Sequence, residues 1–169
     1  MDNFKERLKD IKAFVFDVDG VFSDQMILHS NGDLMRHMNV KDGYAVKIAV
    51  EKGLQVALIT GGDSESVRQR FNRLGVKDIY LESANKLEDF NHFTADKNLQ
   101  PEHILYMGDD IPDYEVMSIC GLATCPADAV EEIISVAHYV SDKEGGKGCI
   151  RDVIEQVMRA QGKWFQRPL

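Results

Sequence analysis

Carboxylates stand in two short clusters of this chain, Asp17-Val18-Asp19 and Asp109-Asp110-Ile111-Pro112-Asp113, each directly after a compact apolar run. A lone Asp-x-Asp is often no more than a turn or a helix cap. Here Thr60 closes a third apolar run and Lys86 opens a helical stretch, so polar groups of complementary kinds recur at comparable places. Several carboxylates brought together cannot all stay ionised without a counter-charge. A hard divalent cation with oxygen ligands supplies it, and Mg²⁺ is the default choice.

The elements that must position these groups follow from hydrophobic patterning. Residues 13–16, 55–59, 79–81, 104–107 and, more weakly, 122–124 are continuous apolar runs rich in β-formers. Continuity rather than alternation signals burial on both faces, hence a parallel sheet. Helices are expected at 43–52, 64–74, 87–97, 114–120, 130–137 and 150–160; in the second, Val67, Phe71 and Leu74 share a face and Gly75 is the stop. Strand–helix alternation of this kind predicts an α/β fold with a doubly wound parallel sheet, whose ligands bind beyond the carboxyl ends of the strands. One segment, 22–39, breaks the rhythm. Residues 25–28 and 34–38 flank Asn31-Gly32 and read as a β-hairpin inserted after the first strand. Exposed Met26, Ile27, Leu34, Met35 and Met38 would be costly in a monomer, so the hairpin is expected to be an oligomer contact, the alternative being that it folds back on its own domain.

A chain of 169 residues is expected to form one domain, 1–169, and 44% hydrophobic with 28% charged residues suits a packed core. With 28 acidic against 20 basic side chains the net charge is −8, which disfavours non-specific nucleic-acid or anionic-membrane binding. An anionic ligand would need locally concentrated positive charge or a metal. No apolar stretch approaches the roughly 20 residues of a membrane span. Residues 1–7 are too charged for a secretory signal, and Cys120, Cys125 and Cys149 form neither a Cys-x-x-Cys pair nor an even set, so a reducing cytoplasm is the expected compartment. The five histidines (29, 37, 92, 103 and 138) lack metal-ligand spacing.

Asp17-Val18-Asp19-Gly20-Val21, Leu58-Ile59-Thr60-Gly61, Lys86 and Gly108-Asp109-Asp110-Ile111-Pro112-Asp113 together resemble, in order, the four motifs of the haloacid dehalogenase superfamily. The resemblance implies that Asp17 is a nucleophile forming an aspartyl-phosphate and that Asp19 is the general acid and base. It implies that Thr60, Gly61 and Lys86 hold the phosphoryl group. Asp17, the Asp19 carbonyl and Asp109 would ligate Mg²⁺, with Asp110 and Asp113 as outer supports. Physically, a carboxylate can approach a phosphate monoester only when cations neutralise both, and a covalent intermediate divides one hard displacement into two easier ones. Aspartate at position 19 implies a phosphatase or mutase rather than a dehalogenase. Neither the 19–60 nor the 60–86 interval has room for the cap domain that many members carry, so the core is expected to be capless and the site closed by neighbouring subunits.

Within the superfamily, this capless core with its hairpin is similar to a tetrameric branch that dephosphorylates keto-deoxy sugar acids for lipopolysaccharide synthesis. Val40-Lys41-Asp42-Gly43-Tyr44, Ser83-Ala84-Asn85-Lys86-Leu87, Gly145-Gly146-Lys147-Gly148 before Arg151, and Ala160-Gln161-Gly162-Lys163 also match. The likeness implies a homotetramer built on the hairpins, a neighbour helping to close each site, and a C-terminal tail, 161–169, that can act as a flap with Lys147, Trp164, Phe165 or Arg167. A substrate carboxylate calls for a further cation. Arg70 flanks the apolar stripe of its helix and matches a substrate-contacting arginine of the branch, while Arg68 and Arg73 point outward; alternatively Arg70 only covers the helix edge. Arg151 either contacts substrate or pairs with Glu144 or Asp152. Gly62 stands where many relatives have arginine, as also happens in a sister branch with a nine-carbon substrate. The Lys-Asp-Gly-Tyr and Ala-Gln-Gly-Lys segments favour the eight-carbon substrate, with the nine-carbon one left open. Two other classes fit less well. A signalling receiver domain would end its third strand in the acceptor aspartate, whereas 79–81 leads into Glu82-Ser83. A non-catalytic sugar-phosphate binder would have no need of both Asp17 and Asp19.

Overall fold

The computed structural model describes residues 3–167; Met1 and Asp2 of the charged start and Pro168 and Leu169 of the tail lie outside the described residues. After a short helix α1 (Phe4–Arg7), the chain forms β1 (Ala13–Phe16), the hairpin β2 (Ser23–Leu28) and β3 (Leu34–Met38), and α2 (Val40–Glu51). There follow β4 (Gln55–Ile59), α3 (Glu65–Asn72), β5 (Asp78–Tyr80), α4 (Lys86–Asp96) and β6 (Ile104–Met107). The last elements are α5 (Tyr114–Ile119), β7 (Leu122–Cys125), α6 (Glu131–Val136), β8 (Tyr139–Val140) and α7 (Cys149–Ala160). Six strands join in one sheet of order β5-β4-β1-β6-β7-β8, with every pairing parallel.

The apolar runs are continuous because both faces of this sheet are covered. Phe14 and Phe16 of β1 pack with Val46, Phe71 and Val153 from α2, α3 and α7. Ala13 and Val15 face the other way, onto Phe90, Phe93 and Val116 of α4 and α5. The expected helices and strands form with small shifts of their ends. Two elements were not expected: the short helix α1 and β8, two residues at the sheet edge that carry no apolar run of their own. Strand order reverses about β1: the chain first runs outward through β4 and β5, then returns to β6 on the opposite side. That reversal opens the crevice into which the ends of β1, β4 and β6 project.

The hairpin forms its own two-stranded antiparallel sheet, turning at Gly32 with φ +91°. Met26, Ile27 and Met35 are exposed, as expected, and so is Leu28. Leu34 and Met38 are a correction: both are half-buried, and Met38 packs on the main core, because residues 34, 36 and 38 share the face turned toward the domain. At the opposite side α2 meets α7 through Asp42, which is wholly buried and accepts the Arg151 amide at 2.8 Å. Burial pushes its carboxyl up to about 6, opposed by hydrogen bonds from the Arg151 and Gly148 amides.

Candidate active site

Asp17 ends β1 and is pinned by its own backbone, its N–H donating to Met107 O at 3.0 Å and the Val18 N–H donating to its Oδ1 at 2.7 Å. The chain then turns sharply, the amides of Val21, Phe22 and Ser23 converging on Val18 O at 3.2, 2.9 and 3.2 Å. Phe22 anchors this turn by edge-on contacts with Phe16 and Phe71. Gly20 adopts φ +86°, and a Cβ there would lie 1.9 Å from Asp109 Oδ2, so only glycine lets the two acidic motifs meet. From behind, a Cβ on Gly145 would lie 1.9 Å from Gly20 O, and the Gly146 amide donates to Val21 O at 2.8 Å.

Lys86, at the start of α4, is buried between two carboxylates: its Nζ lies 3.0 Å from Asp17 Oδ1 and 2.7 Å from Asp113 Oδ1. The helix start is fixed by Asn85, whose side chain accepts from the Leu87 and Glu88 amides. Asp113 also accepts the Tyr106 hydroxyl at 2.6 Å and the Asp109 and Asp110 amides at 3.1 and 3.4 Å. Its carboxylate thus ties together β6, the loop beyond it and Lys86. Asp110 behaves differently: it is exposed and caps the short turn at 111–113. Thr60, at the end of β4, is buried; its amide donates to Tyr80 O, its carbonyl accepts from Ser83, and its hydroxyl oxygen accepts the Gly62 amide at 3.2 Å. Gly61 beside it is exposed.

Asp17, Asp109 and Asp113 each offer an oxygen within 4.8 Å of the others. Burial, then repulsion from Asp113, pushes Asp17 up to about 8, with Lys86 pulling the other way. The same two causes push Asp109 up to about 7. Burial alone would lower Lys86, but Asp17 and Asp113 override it and raise it. Asp109 Oδ1 is buried with no hydrogen-bond partner. A crowd of carboxylates held out of water, with an orphaned oxygen aimed among them, fits an oxygen-ligated divalent cation. Asp17 and Asp109 are the side chains free to hold it, because both Asp113 oxygens are already hydrogen-bonded within the protein.

Asp19 has a partner that the sequence reading missed. Arg36 of β3 grips its carboxylate with both edges of a fork, Nε to Oδ1 at 2.6 Å and Nη2 to Oδ2 at 3.1 Å. The signal was available in the alternation of β3, which puts residue 36 on the inward face with 34 and 38. The other expected cations stand further out. Arg70 reaches from α3 to α2, its Nη2 2.5 Å from where a Gly43 Cβ would be. Arg151 lies over the rings of Tyr44 and Trp164, with Glu155 as its carboxylate partner at 3.2 Å. Neither Glu144 nor Asp152 takes that place; Asp152 accepts instead from Tyr139, Ser141 and Gln156. The 460 Å³ cavity beside Arg151, lined also by Lys41, Lys147 and Arg159, contains none of the acidic site residues. Lys147 bonds Asp24, Trp164 is buried beside α7, and Phe165 is exposed.

A capless α/β core with acidic groups and a lysine meeting at its strand ends defines a phosphoryl-transfer hydrolase, and the chain belongs to the haloacid dehalogenase-like hydrolases. That family's profile matches residues 75–152. Over nearly the whole chain, the similarity is to 3-deoxy-D-manno-octulosonate 8-phosphate phosphatases. The Yersinia pestis protein of that name is 36% identical over 163 residues, covering 96% of this chain and 87% of its own. The Escherichia coli K12 protein is 37% identical over 158 residues, covering 93% and 84%. The Y. pestis crystal structure superposes with a TM-score of 0.93 at 34% identity, covering 96% of this chain and 88% of that one. That of the Moraxella catarrhalis phosphatase, solved with a magnesium ion, a phosphate ion and a KDO molecule, superposes with a TM-score of 0.92 at 32% identity, covering 96% and 94%.

Proposed function

We propose that this protein hydrolyses 3-deoxy-D-manno-octulosonate 8-phosphate to the free sugar acid and phosphate, with Asp17 as nucleophile. The observation that carries this reading is the buried Asp17–Lys86–Asp113 chain beside the orphaned Asp109 oxygen. It gives an aspartate held rigidly at a strand end, next to a fixed cation and to a buried oxygen suited to ligate another. Asp17, Asp109 and the Asp19 carbonyl would hold Mg²⁺, which when bound neutralises the carboxylates and the phosphoryl oxygens together. Lys86 and the Thr60–Gly61 turn orient the phosphoryl group for attack by an Asp17 oxygen. Asp19 gives its proton to the departing sugar oxygen, which leaves as the hydroxyl, and then takes one from the water that cleaves the aspartyl-phosphate. Asp113 holds Lys86 in line, and Asp110 caps the turn that aims Asp109. Arg70, on the helix that follows the Thr60 loop, and Arg151 are the cations assigned to the substrate carboxylate.

Phosphate release from a panel of esters in Mg²⁺ tests this directly. The expected order places the octulosonate phosphate first, well above hexose phosphates. Equal rates throughout would remove the substrate assignment while leaving the hydrolase. A lead for a nine-carbon keto-deoxy acid 9-phosphate, the reading that Gly62 keeps open, would move it to that substrate.

The same reading takes residues 1–169 as one domain in a homotetramer whose hairpins, 22–39, pack against one another. Met26, Ile27, Leu28 and Met35 lie 45–79% exposed on one projection, an arrangement a lone subunit would leave wet. Small-angle scattering is expected to give four times the chain mass, and a monomer would leave those side chains without a partner. A neighbouring subunit would then help to close the site, and the tail would be its flap. Three buried, unpaired cysteines support a cytoplasmic setting, and among the described residues no helix is long and apolar enough to cross a membrane.

A further inference from the structure

We infer that Arg36, carried in by the hairpin, is the positioning residue for Asp19. The inference rests on the reading of Asp19 as acid and base. Asp19 sits on the turn after β1 and its side chain is 32% exposed, so nothing in its own packing fixes the direction of its carboxylate. The Arg36 side chain is only 4% exposed. Its three guanidinium nitrogens are all committed: Nε and Nη2 to the two Asp19 oxygens, and Nη1 to Leu34 O at 3.3 Å. A guanidinium anchored to its own strand and gripping both carboxylate oxygens sets the plane of the acid as well as its place. Ser23 adds a weaker hydroxyl contact to Oδ1 at 3.3 Å.

The fork also explains Gly62. A Cβ at that position would lie 3.0 Å from Arg36 Nη2, 3.4 Å from Asp19 Oδ2 and 3.6 Å from Thr60 Oγ1. The arginine therefore stands over residue 62, in the space a side chain there would need, and holds the acid beside the hydroxyl of the phosphate-binding turn. Three of its five N–H groups are already used, two on Asp19 and one on Leu34 O, which fixes the guanidinium as a clamp on the acid. The hairpin thus has a second task, independent of any neighbour: its β3 strand delivers a charged clamp to the catalytic turn.

A double-mutant cycle with Arg36→Met and Asp19→Asn tests this, read as kcat and KM for the octulosonate phosphate in Mg²⁺. Arg36→Met is expected to lower kcat about 10- to 10²-fold with KM changed less than about threefold, the pattern of a misaimed group rather than a lost binding contact. In the Asp19→Asn background the same substitution is expected to change kcat less than about twofold, since the group it aims is gone. Arg36→Lys keeps the charge without the fork and is expected to recover only part of the loss. An equal loss in both backgrounds, a loss confined to KM, or full activity in Arg36→Met would overturn the role of Arg36. Wild-type kcat in Asp19→Asn alone would instead overturn the reading of Asp19. Far-ultraviolet circular dichroism and melting curves identify any variant that has lost its fold. Should Arg36→Met be among them, Gly62→Ala, which crowds the fork from the other side, is expected to lower kcat with KM held; unchanged kcat there would count against the clamp.

Discussion

Asp17→Asn is expected to lower kcat by at least about 10⁴-fold while leaving the protein folded. The amide has the shape of the acid and its oxygen can still accept the Val18 N–H, so the turn after β1 loses no backbone support. What disappears is the nucleophilic oxygen at the end of β1, 3.0 Å from Lys86 Nζ and grouped with the Asp109 carboxylate. Stability should change little, because two effects oppose each other. Lys86 loses one of two carboxylate partners, while Asp113 loses the repulsion that helps to drive the Asp17 carboxyl upward. Single-turnover phosphate release and a thermal melt are the two measurements. Residual turnover within tenfold of the parent would mean that the attacking group lies elsewhere.

Removal of divalent cations is expected to abolish turnover, and Mg²⁺ to restore it with an affinity that rises with pH. Without metal, Asp17 and Asp109 sit near 8 and 7 instead of the ordinary 3.8, so the folded protein holds their protons through neutral pH. The unfolded chain gives up the same protons near pH 4. Between about pH 4 and pH 8 the metal-free fold therefore carries more protons than the unfolded chain, and its stability falls as pH rises through that window. Binding of the cation needs both groups as carboxylates, so it expels protons. About one to two are expected per ion near pH 7, falling toward none above about pH 9. Titration calorimetry in buffers of different ionisation heat counts them. Proton-neutral binding at pH 7, or an affinity flat between pH 6 and pH 8, would contradict the assignment of these two side chains to the metal. Melting curves supply an independent check. Mg²⁺ should raise the melting temperature more at pH 8 than at pH 6, since only the bound form is relieved of its buried like charges.

Much of this was legible in the chain because parallel strands buried on both faces leave an unmistakable mark. Runs such as 13–16 and 104–107 admit no polar interruption, and the first polar residue after each falls at the rim where ligands bind. Asp17, Thr60 and Asp109 could be named for that reason alone, and Lys86 from opening the helix after the third strand. What the chain does not show is which of these side chains the fold brings into contact. That Tyr106 and Lys86 converge on Asp113, the expected outer support, shows only in the fold. Arg36 lies on a projecting hairpin, and only the fold brings β3 back over the turn after β1. Arg151 was expected either to contact substrate or to pair with Glu144 or Asp152, whereas its carboxylate partner is Glu155, one helical turn on, and Trp164 of the tail lies beside it. Strand β8 has too few residues to show any periodicity and exists because β7 offers it an edge.

Gly145 and Gly146 press backbone to backbone against the turn that carries Asp19, leaving no room between them for so much as a methyl group. The order in which the polypeptide emerges during synthesis therefore matters. A nascent chain halted before residue 145 would display every acidic motif and the lysine, yet the mould that shapes the first of them would still be missing. Enzymatic competence should accordingly arrive late and all at once, when the last helix docks.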